Sequence, residues 1–334
     1  MSSNFTESIA EDAALDWLQK LGFEVKHGPE IAPTEPSAER SAFGEVILES
    51  RLCDSLYRLN PHLDDMAIEE AVRKLRYPSH ASFLRNNHAF HHFLVNGVPL
   101  DIVREDGGHG VTVKVVDFEN PDNNNWLAVN QFTVVENKNN RRPDIVVFVN
   151  GLPLVVIELK NPADENATIR KAFNQLQTYL KDIPSLFYIN ALMLVSDGLE
   201  ARVGTVSSEW ERFMPWRTID GKALAPSTMP QLEVVTRGIF DKRRFLDLIR
   251  HFLVFEEEAG GKLVKKMAGY HQFHAVRTAV EETLRATKKK EVFLASEPEG
   301  FYGSGVRPGG SPGDRRIGVI WHTQGSGKSL TMAF

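Results

Sequence analysis

Two carboxylates and a lysine lie close together in the segment RRPDIVVFVNGLPLVVIELKNP at residues 141–162. Asp144 opens one apolar run, and Glu158 and Lys160 close the next one. Side chains two residues apart in a strand share a face, so the glutamate and the lysine are expected together. Two carboxylates can hold Mg²⁺, which favours oxygen ligands, and the lysine can stabilise charge on a transition state. The motif therefore predicts hydrolysis of a phosphodiester by a metal-activated water.

A plainer interpretation is that Glu158 and Lys160 form a solvated ion pair at a strand end. The surrounding sequence speaks against it, because Leu154 and Val156 are expected on the same face and the opposite face is also apolar. Charged side chains in a strand that is apolar on both sides are uncommon unless they are paired or functional. The pattern favours a functional pair.

The turn between the two apolar runs sets a geometric condition on this site. Asn150-Gly151 is typical of a two-residue hairpin turn. A regular hairpin would place Asp144 opposite Ile157, which would leave Asp144 and Glu158 on opposite faces. A shared metal therefore requires a slip of one residue. Either the loop has three or five residues centred on the glycine, or a β-bulge lies between the two carboxylates.

A second chemical motif, GSGKS at residues 325–329, follows a predicted strand at Ile317–Trp321. Such a loop can cradle phosphates with its backbone N–H groups, with the lysine on the β- and γ-phosphates and the serine on Mg²⁺. His322 stands where the strict pattern has its first glycine. The predicted nucleotide-binding residues of this loop are Gly325, Gly327, Lys328 and Ser329.

The elements around these motifs indicate an α/β chain. Helical spacing of apolar residues predicts helices near the N-terminus, at 41–59, at 64–76 and at 166–181. Alternating β-branched and aromatic runs predict strands from residue 92 to residue 160, and the phrases VNGVPL and VNGLPL suggest two hairpins with similar turns. Residues 240–290 are predicted to be helical.

Composition narrows the class of protein further. A formal net charge of −5 means that contacts with nucleic acid would need local basic patches on an acidic body. The single cysteine, Cys53, excludes an intrachain disulfide and a cysteine-based zinc site. No apolar run approaches the roughly 18 residues of a membrane span, and the N-terminus does not resemble a signal peptide. We expect a cytoplasmic protein.

The first motif resembles the PD-(D/E)xK nuclease core found in restriction subunits of type I restriction-modification enzymes. The resemblance rests on Asp144, on Glu158-Leu159-Lys160 and on Gln175 and Tyr179, four residues apart on the following helix. It implies a mixed sheet flanked by helices, with Asp144 and Glu158 as Mg²⁺ ligands, Lys160 as the catalytic lysine, and the glutamine and tyrosine as helpers. It also implies an early acidic ligand, Glu49 in LESRL or, as the alternative, Glu45.

The second motif resembles motif I of the superfamily 2 helicase motors in the same subunits, and YHQFHAV resembles their adenine-reading glutamine motif, with Gln272 as the base reader. The resemblance implies ATP-driven translocation on double-stranded DNA, and assembly with a specificity subunit and a methyltransferase subunit. Because the chain stops at Phe334, we expect it not to hydrolyse ATP by itself. The implied regions are an N-terminal helix and loop (1–35), a nuclease domain (36–235), a helical linker (236–295) and the start of a RecA-like domain (296–334).

Two other classes of function remain compatible with the sequence. One is a nucleotide-binding motor fragment whose nuclease site is inactive, and the other is a non-catalytic module that docks a motor on its partner subunits. Metal-dependent cleavage, and its loss when Asp144 is replaced, separates these possibilities from an active nuclease.

Overall fold

A six-stranded mixed sheet forms the centre of the molecule. The computed structural model describes residues 7–104, 107–161, 168–258, 260–287, 317 and 328–334. The spatial order of the strands is β1-β4-β7-β8-β9-β10. The pairs β1/β4 and β8/β9 are parallel, and the other neighbours are antiparallel. The strands are β1 (Glu24–His27), β4 (Trp126–Asn130), β7 (Ile145–Val149), β8 (Leu152–Leu159), β9 (Leu192–Ser196) and β10 (Ala201–Gly204).

The described residues also contain helices that cover the sheet and three two-stranded hairpins outside it. The hairpins are β2 (Val98–Arg104) with β3 (Gly107–Val113), β5 (Val134–Glu136) with β6 (Asn139–Arg141), and β11 (Leu253–Glu258) with β12 (Lys262–Met267). The helices are α1 (Glu7–Lys20), α2 (Glu49–Leu59), α3 (Asp65–Arg76), α4 (Phe83–Asn96), α5 (Ile169–Asp182), α6 (Gln231–Ile239), α7 (Lys242–His251), α8 (Tyr270–Thr287) and α9 (Lys328–Thr331).

Two apolar layers enclose the sheet. One layer contains buried residues of the helices α1, α2, α3, α4, α6 and α7. The other contains buried residues of α5 and of the segment 31–48. Every residue of β7 and β8 is buried, which explains why both strands are apolar on both faces. The predicted mixed sheet flanked by helices is confirmed. None of the described helices is long and apolar enough to cross a membrane.

The turn between β7 and β8 has the two residues that the sequence predicts. Asn150 and Gly151 have φ of 51° and 77°, the left-handed values that a type I′ turn requires at both central positions. The Asn150 amide donates a hydrogen bond to the carbonyl of Val115 (2.9 Å). The backbone N–H of Leu48 donates to the carbonyl of Gly151 (2.9 Å). The start of α2 therefore lies on this turn.

A β-bulge follows the turn. Val149 pairs with Leu152, but Val147 pairs with Val155, and the register shifts between residues 147 and 148. Leu154 is therefore the extra residue on β8. The slip that the sequence required is confirmed, and it arises from a bulge rather than from a longer loop.

Two sequence predictions were wrong in the kind of structure, and the helix predicted at 41–59 begins only at Glu49. Residues 240–290 are not helical throughout, because β11 and β12 form an antiparallel hairpin between α7 and α8. The phrase VNG at residues 95–97 does not form a hairpin turn either. It ends α4, where Gly97 (φ 84°) is the C-cap and its N–H donates to the carbonyl of Phe93 (2.9 Å). Glycine is well suited to this position because its missing side chain permits the left-handed conformation.

Candidate functional site

The bulge places the two predicted carboxylates opposite each other. Ile145 pairs with Ile157, so the next position along the hairpin brings Asp144 beside Glu158. Residues directly opposite in an antiparallel pair share a face. Val146 and Val156, two positions away on each strand, pack in the apolar layer that contains α5. Both carboxylates therefore lie on the face of the sheet that α5 covers.

The Asp144 carboxylate is held in place by the backbone. Its side chain is buried, and Oδ2 accepts a hydrogen bond from the N–H of Leu159 (2.7 Å). Its main-chain carbonyl accepts from the N–H of Gln131 (2.8 Å), which follows β4. Contacts to both neighbouring strands fix its orientation, so little conformational entropy is lost when a ligand binds.

Glu158 and Lys160 form an ion pair on the same face. The Nζ of Lys160 lies 2.8 Å from Oε1 of Glu158 and also donates to the carbonyl of Leu159 (2.8 Å). The Glu158 side chain is 0% exposed and that of Lys160 is 14% exposed. The pair is therefore buried rather than solvated, and the lysine faces the solvent side of the glutamate.

Helix α5 brings Gln175 and Tyr179 to this site. The Nε2 of Gln175 donates to the phenolic oxygen of Tyr179 (2.6 Å). Burial, followed by the nearby charge of Glu158, raises the pKa of Tyr179 well above its ordinary value, and Asp144 contributes in the same direction. The phenol is therefore neutral at physiological pH and can donate a hydrogen bond toward the carboxylates. The structure brings all five predicted nuclease residues together.

An open cleft leads to this cluster, which we call the 140–142 groove. Its two sides are the chain segment at the end of β6 and the exposed stripe of α5. The lining residues are polar or basic, and none carries a carboxylate: Asn140, Arg141, Arg142, Asn174, Gln175, Thr178 and Tyr179. Of these residues, only Gln175 and Tyr179 were predicted from the sequence. The sequence did contain a signal for the basic side of the groove, because two arginines directly precede Pro143 and Asp144.

The expected early acidic ligand lies elsewhere. Glu49 opens α2, and the residue before it is bonded to the turn at Gly151. This turn is at the opposite end of β7 from Asp144, and five residues of strand separate them by about 17 Å. The Glu49 carboxylate instead pairs with Arg76 (2.6 Å). The assignment of Glu49 to the metal site was therefore wrong.

Glu45, the alternative, also has other partners. Its carboxylate accepts hydrogen bonds from the N–H and the hydroxyl of Ser41 (2.7 and 2.9 Å) and pairs with the same Arg76 (3.2 Å). The pKa of Glu45 is lowered, since these hydrogen bonds and the arginine charge outweigh its partial burial. Glu45 closes a loop and does not join the nuclease residues.

A larger metal cage is not found in the described part of the chain. Among the residues that the structure describes, no group of three or more His, Cys, Asp or Glu side chains could hold a metal ion. Asp144 and Glu158 supply oxygen donors alone, which suits Mg²⁺. This ion is usually bound by one or two carboxylates and completes its shell with water and phosphate oxygens. The donor set therefore fits the predicted metal.

The predicted nucleotide-binding residues are described only in part. Gln272 lies in the first turn of α8, where its Oε1 accepts a hydrogen bond from the N–H of Gly269 (2.8 Å). Lys328 and Ser329 begin α9, which lies against α8. Gly325, Gly327 and the predicted strand before them, apart from Ile317, lie outside the described residues, as does the side chain of Lys328.

Comparison with known proteins defines the class of this molecule. Residues 4–212 match the family model of the type I restriction enzyme R protein N terminus, and residues 271–334 match that of the SWI2/SNF2 ATPase. The chain is 37% identical over 331 residues to the type I restriction enzyme HindI endonuclease subunit of Haemophilus influenzae. It is 32% identical over 345 residues to the putative MjaIXP endonuclease subunit of Methanocaldococcus jannaschii.

The chain belongs to the family of type I restriction enzyme endonuclease subunits and corresponds to their N-terminal part. Both alignments cover 98% of this chain, but it spans 29% and 30% of the length of the two relatives. The resemblance read from the sequence is thus confirmed for the family.

Proposed function

We propose that residues 36–235 form a Mg²⁺-dependent DNA endonuclease of the PD-(D/E)xK type. The observation that carries the proposal is the register of the bulged hairpin, which pairs Ile145 with Ile157 and so places Asp144 opposite Glu158, with Lys160 on the same face. Family membership among endonuclease subunits supports it independently. A bulge is costly to the strand ladder and is often found beside active sites.

Each residue has a distinct role in this proposal. Asp144 and Glu158 would hold Mg²⁺, which when bound polarises the phosphate and lowers the pKa of a water molecule. Lys160, at the solvent side of Glu158, can orient the attacking water or stabilise charge on the phosphate oxygens. The neutral phenol of Tyr179, whose oxygen accepts a hydrogen bond from Gln175, lies near both carboxylates and would act as a hydrogen-bond donor in the site.

We propose further that the full-length subunit cuts double-stranded DNA after ATP-driven translocation and works in the cytoplasm with a specificity and a methyltransferase subunit. The names of the relatives and the SWI2/SNF2 match at residues 271–334 support this context. Gln272 would read the adenine, and Gly325, Gly327, Lys328 and Ser329 would bind the phosphates and their Mg²⁺.

The test is cleavage of plasmid DNA by the purified chain in Mg²⁺ or Mn²⁺, alongside Asp144→Asn, Glu158→Gln and Lys160→Ala. Each change removes a metal ligand or a charge stabiliser, so we expect cleavage to fall by roughly 100-fold or more. Mn²⁺ binding, followed by electron paramagnetic resonance, should weaken in the two carboxylate variants and persist in Lys160→Ala.

Glu49→Gln is the matched control, because Glu49 is an acidic residue that pairs with Arg76 far from the site. It should cleave DNA and bind Mn²⁺ as the wild type does. Cleavage within a few-fold of wild type in all three site variants would contradict the nuclease proposal. Loss of Mn²⁺ binding in Glu49→Gln would restore that residue as a ligand. If the wild type binds neither metal nor cleaves DNA, a non-catalytic nucleotide-binding or docking fragment is the better description.

A further inference from the structure

The 140–142 groove differs in charge from the molecule as a whole. The chain carries a formal net charge of −5, yet the residues that line the groove include two arginines and no acid. A local basic surface on an acidic body is the pattern expected where a polyanion binds. The neutral lining residues are amides and hydroxyls, which also donate hydrogen bonds to phosphate oxygens.

The two arginines of the groove are in different states. Arg141 is neutralised by Asp182 at the end of α5, with Nε and Nη2 at 2.7 and 2.6 Å from the carboxylate. Arg142 is exposed and forms no ion pair within the described part of the chain. Arg141 therefore fastens β6 to α5, whereas the guanidinium of Arg142 is available to an anion from solution.

The opposite side of the groove presents a regular polar stripe. Lys171, Asn174, Thr178 and Lys181 are all exposed on α5, at spacings of three and four residues that place them on one face. Gln175 and Tyr179 lie one position further round the helix, toward the carboxylates. The stripe therefore runs beside the nuclease residues and extends beyond them at both ends.

Arg142 is close to the proposed catalytic cluster. Only Pro143 lies between Arg142 and Asp144, and two peptide steps limit the distance between their Cα atoms to about 7 Å. A phosphate held at the carboxylates would therefore have its neighbour on the same strand within reach of Arg142. A planar guanidinium is well suited to bind two oxygens of one phosphate.

We propose that the 140–142 groove binds the sugar-phosphate backbone of DNA beside the bond that is cut, with Arg142 as its main phosphate contact. Asn140, Asn174 and Thr178 add neutral hydrogen bonds on the two sides. This inference rests on the proposed nuclease function, since it assigns the substrate track of the same site. It concerns the phosphate backbone and therefore implies binding without sequence preference.

The experiment measures affinity for a fluorescent DNA duplex of arbitrary sequence, in EDTA so that no cleavage occurs, across a salt titration. Arg142→Ala should bind several-fold more weakly, and the slope of log affinity against log salt should decrease by about 0.9 because one phosphate contact is lost. Arg142→Lys should recover most of the slope, since it keeps the charge. Asp144→Asn should bind at least as well as the wild type.

Arg217→Ala is the matched control, because Arg217 is also exposed and its neighbour Trp216 packs in the other apolar layer. Its affinity and slope should equal those of the wild type. An Arg142→Ala curve that coincides with this control overturns the groove assignment, as does a wild type without salt-dependent affinity. Failure of the nuclease proposal would appear separately, as absent metal-dependent cleavage with the binding results unchanged.

Discussion

At the scale of single residues, the site illustrates how burial selects a protonation state. Tyr179 is buried in an apolar layer near two carboxylates, and both burial and the charge of Glu158 disfavour its phenolate. A phenol with a raised pKa is a poor general base at neutral pH. The tyrosine therefore serves as a donor, and Gln175 holds its oxygen.

This assignment predicts the behaviour of Tyr179→Phe. Cleavage should slow, because the proposed phenolic donor is lost, but the pH dependence of the rate between about pH 6 and pH 10 should keep its shape. The measurement is the single-turnover rate of plasmid cleavage at a series of pH values. A variant that loses one limb of the wild-type profile would show that the phenol titrates during the reaction.

At the scale of elements, the β7–β8 hairpin combines a tight turn with a bulge, and the start of α2 lies on the turn. A Cβ added to Gly151 would approach the carbonyl oxygen of Leu48 to 2.4 Å, at a backbone φ of +77°. Gly260 provides the comparison. It also has a positive φ (+90°), but nothing lies within 4 Å of an added Cβ.

Gly151→Ala should therefore destabilise the protein more than Gly260→Ala. Both carry the cost of a left-handed alanine, about 1 kcal/mol, but only the first must also move α2 away from the turn. We expect the difference in the free energy of unfolding to exceed about 1 kcal/mol, measured by urea denaturation with circular dichroism. Equal losses would mean that the contact between α2 and the turn is easily displaced.

The same hairpin shows what could be predicted from the sequence. The slip could be predicted because Asn150-Gly151 indicates a two-residue turn, while a shared metal needs both carboxylates on one face. Side chains in a strand alternate between two faces, so a shift of one residue is then required. The prediction for Glu49 was wrong because the resemblance implies an early acidic ligand but does not indicate at which end of β7 helix α2 begins. The hairpin β11–β12 was missed because its charged residues, EEE and KK, obscured the alternation, although Gly260-Gly261 marked the turn.

At the scale of the whole molecule, Lys265 joins β12 to the region that matches the R protein N terminus. Its Nζ is buried and donates to Oδ1 of Asn87 on α4 (3.0 Å) and to the carbonyl of Asn190 (2.8 Å). The Phe255 ring lies 5.4 Å away. Burial lowers the pKa of Lys265 to about 7. The nearby His91, whose pKa burial lowers to about 3, is neutral at this pH.

This environment predicts a pH-dependent stability. The unfolded chain binds the Lys265 proton up to its ordinary pKa of 10.5, whereas the folded chain releases it near pH 7. Between these values the unfolded state holds more protons, so the free energy of unfolding should rise with pH, by at most about 1.4 kcal/mol per pH unit. Lys265→Met removes the titrating group, and its curve should rise less steeply than that of the wild type in this interval.

Lys266→Met is the matched control for that comparison. Lys266 is the next residue on β12, but it is partly exposed and lies near Glu256 and Glu258. Lys266→Met keeps Lys265 and its buried contacts, so this variant should keep the rise of stability with pH that Lys265 produces. The measurement is denaturant unfolding at several pH values for all three proteins. Parallel curves for the wild type and Lys265→Met would mean that Lys265 keeps its proton in the folded state. In that case the two oxygens that accept hydrogen bonds from Nζ, on Asn87 and Asn190, are sufficient to stabilise the buried ammonium of Lys265.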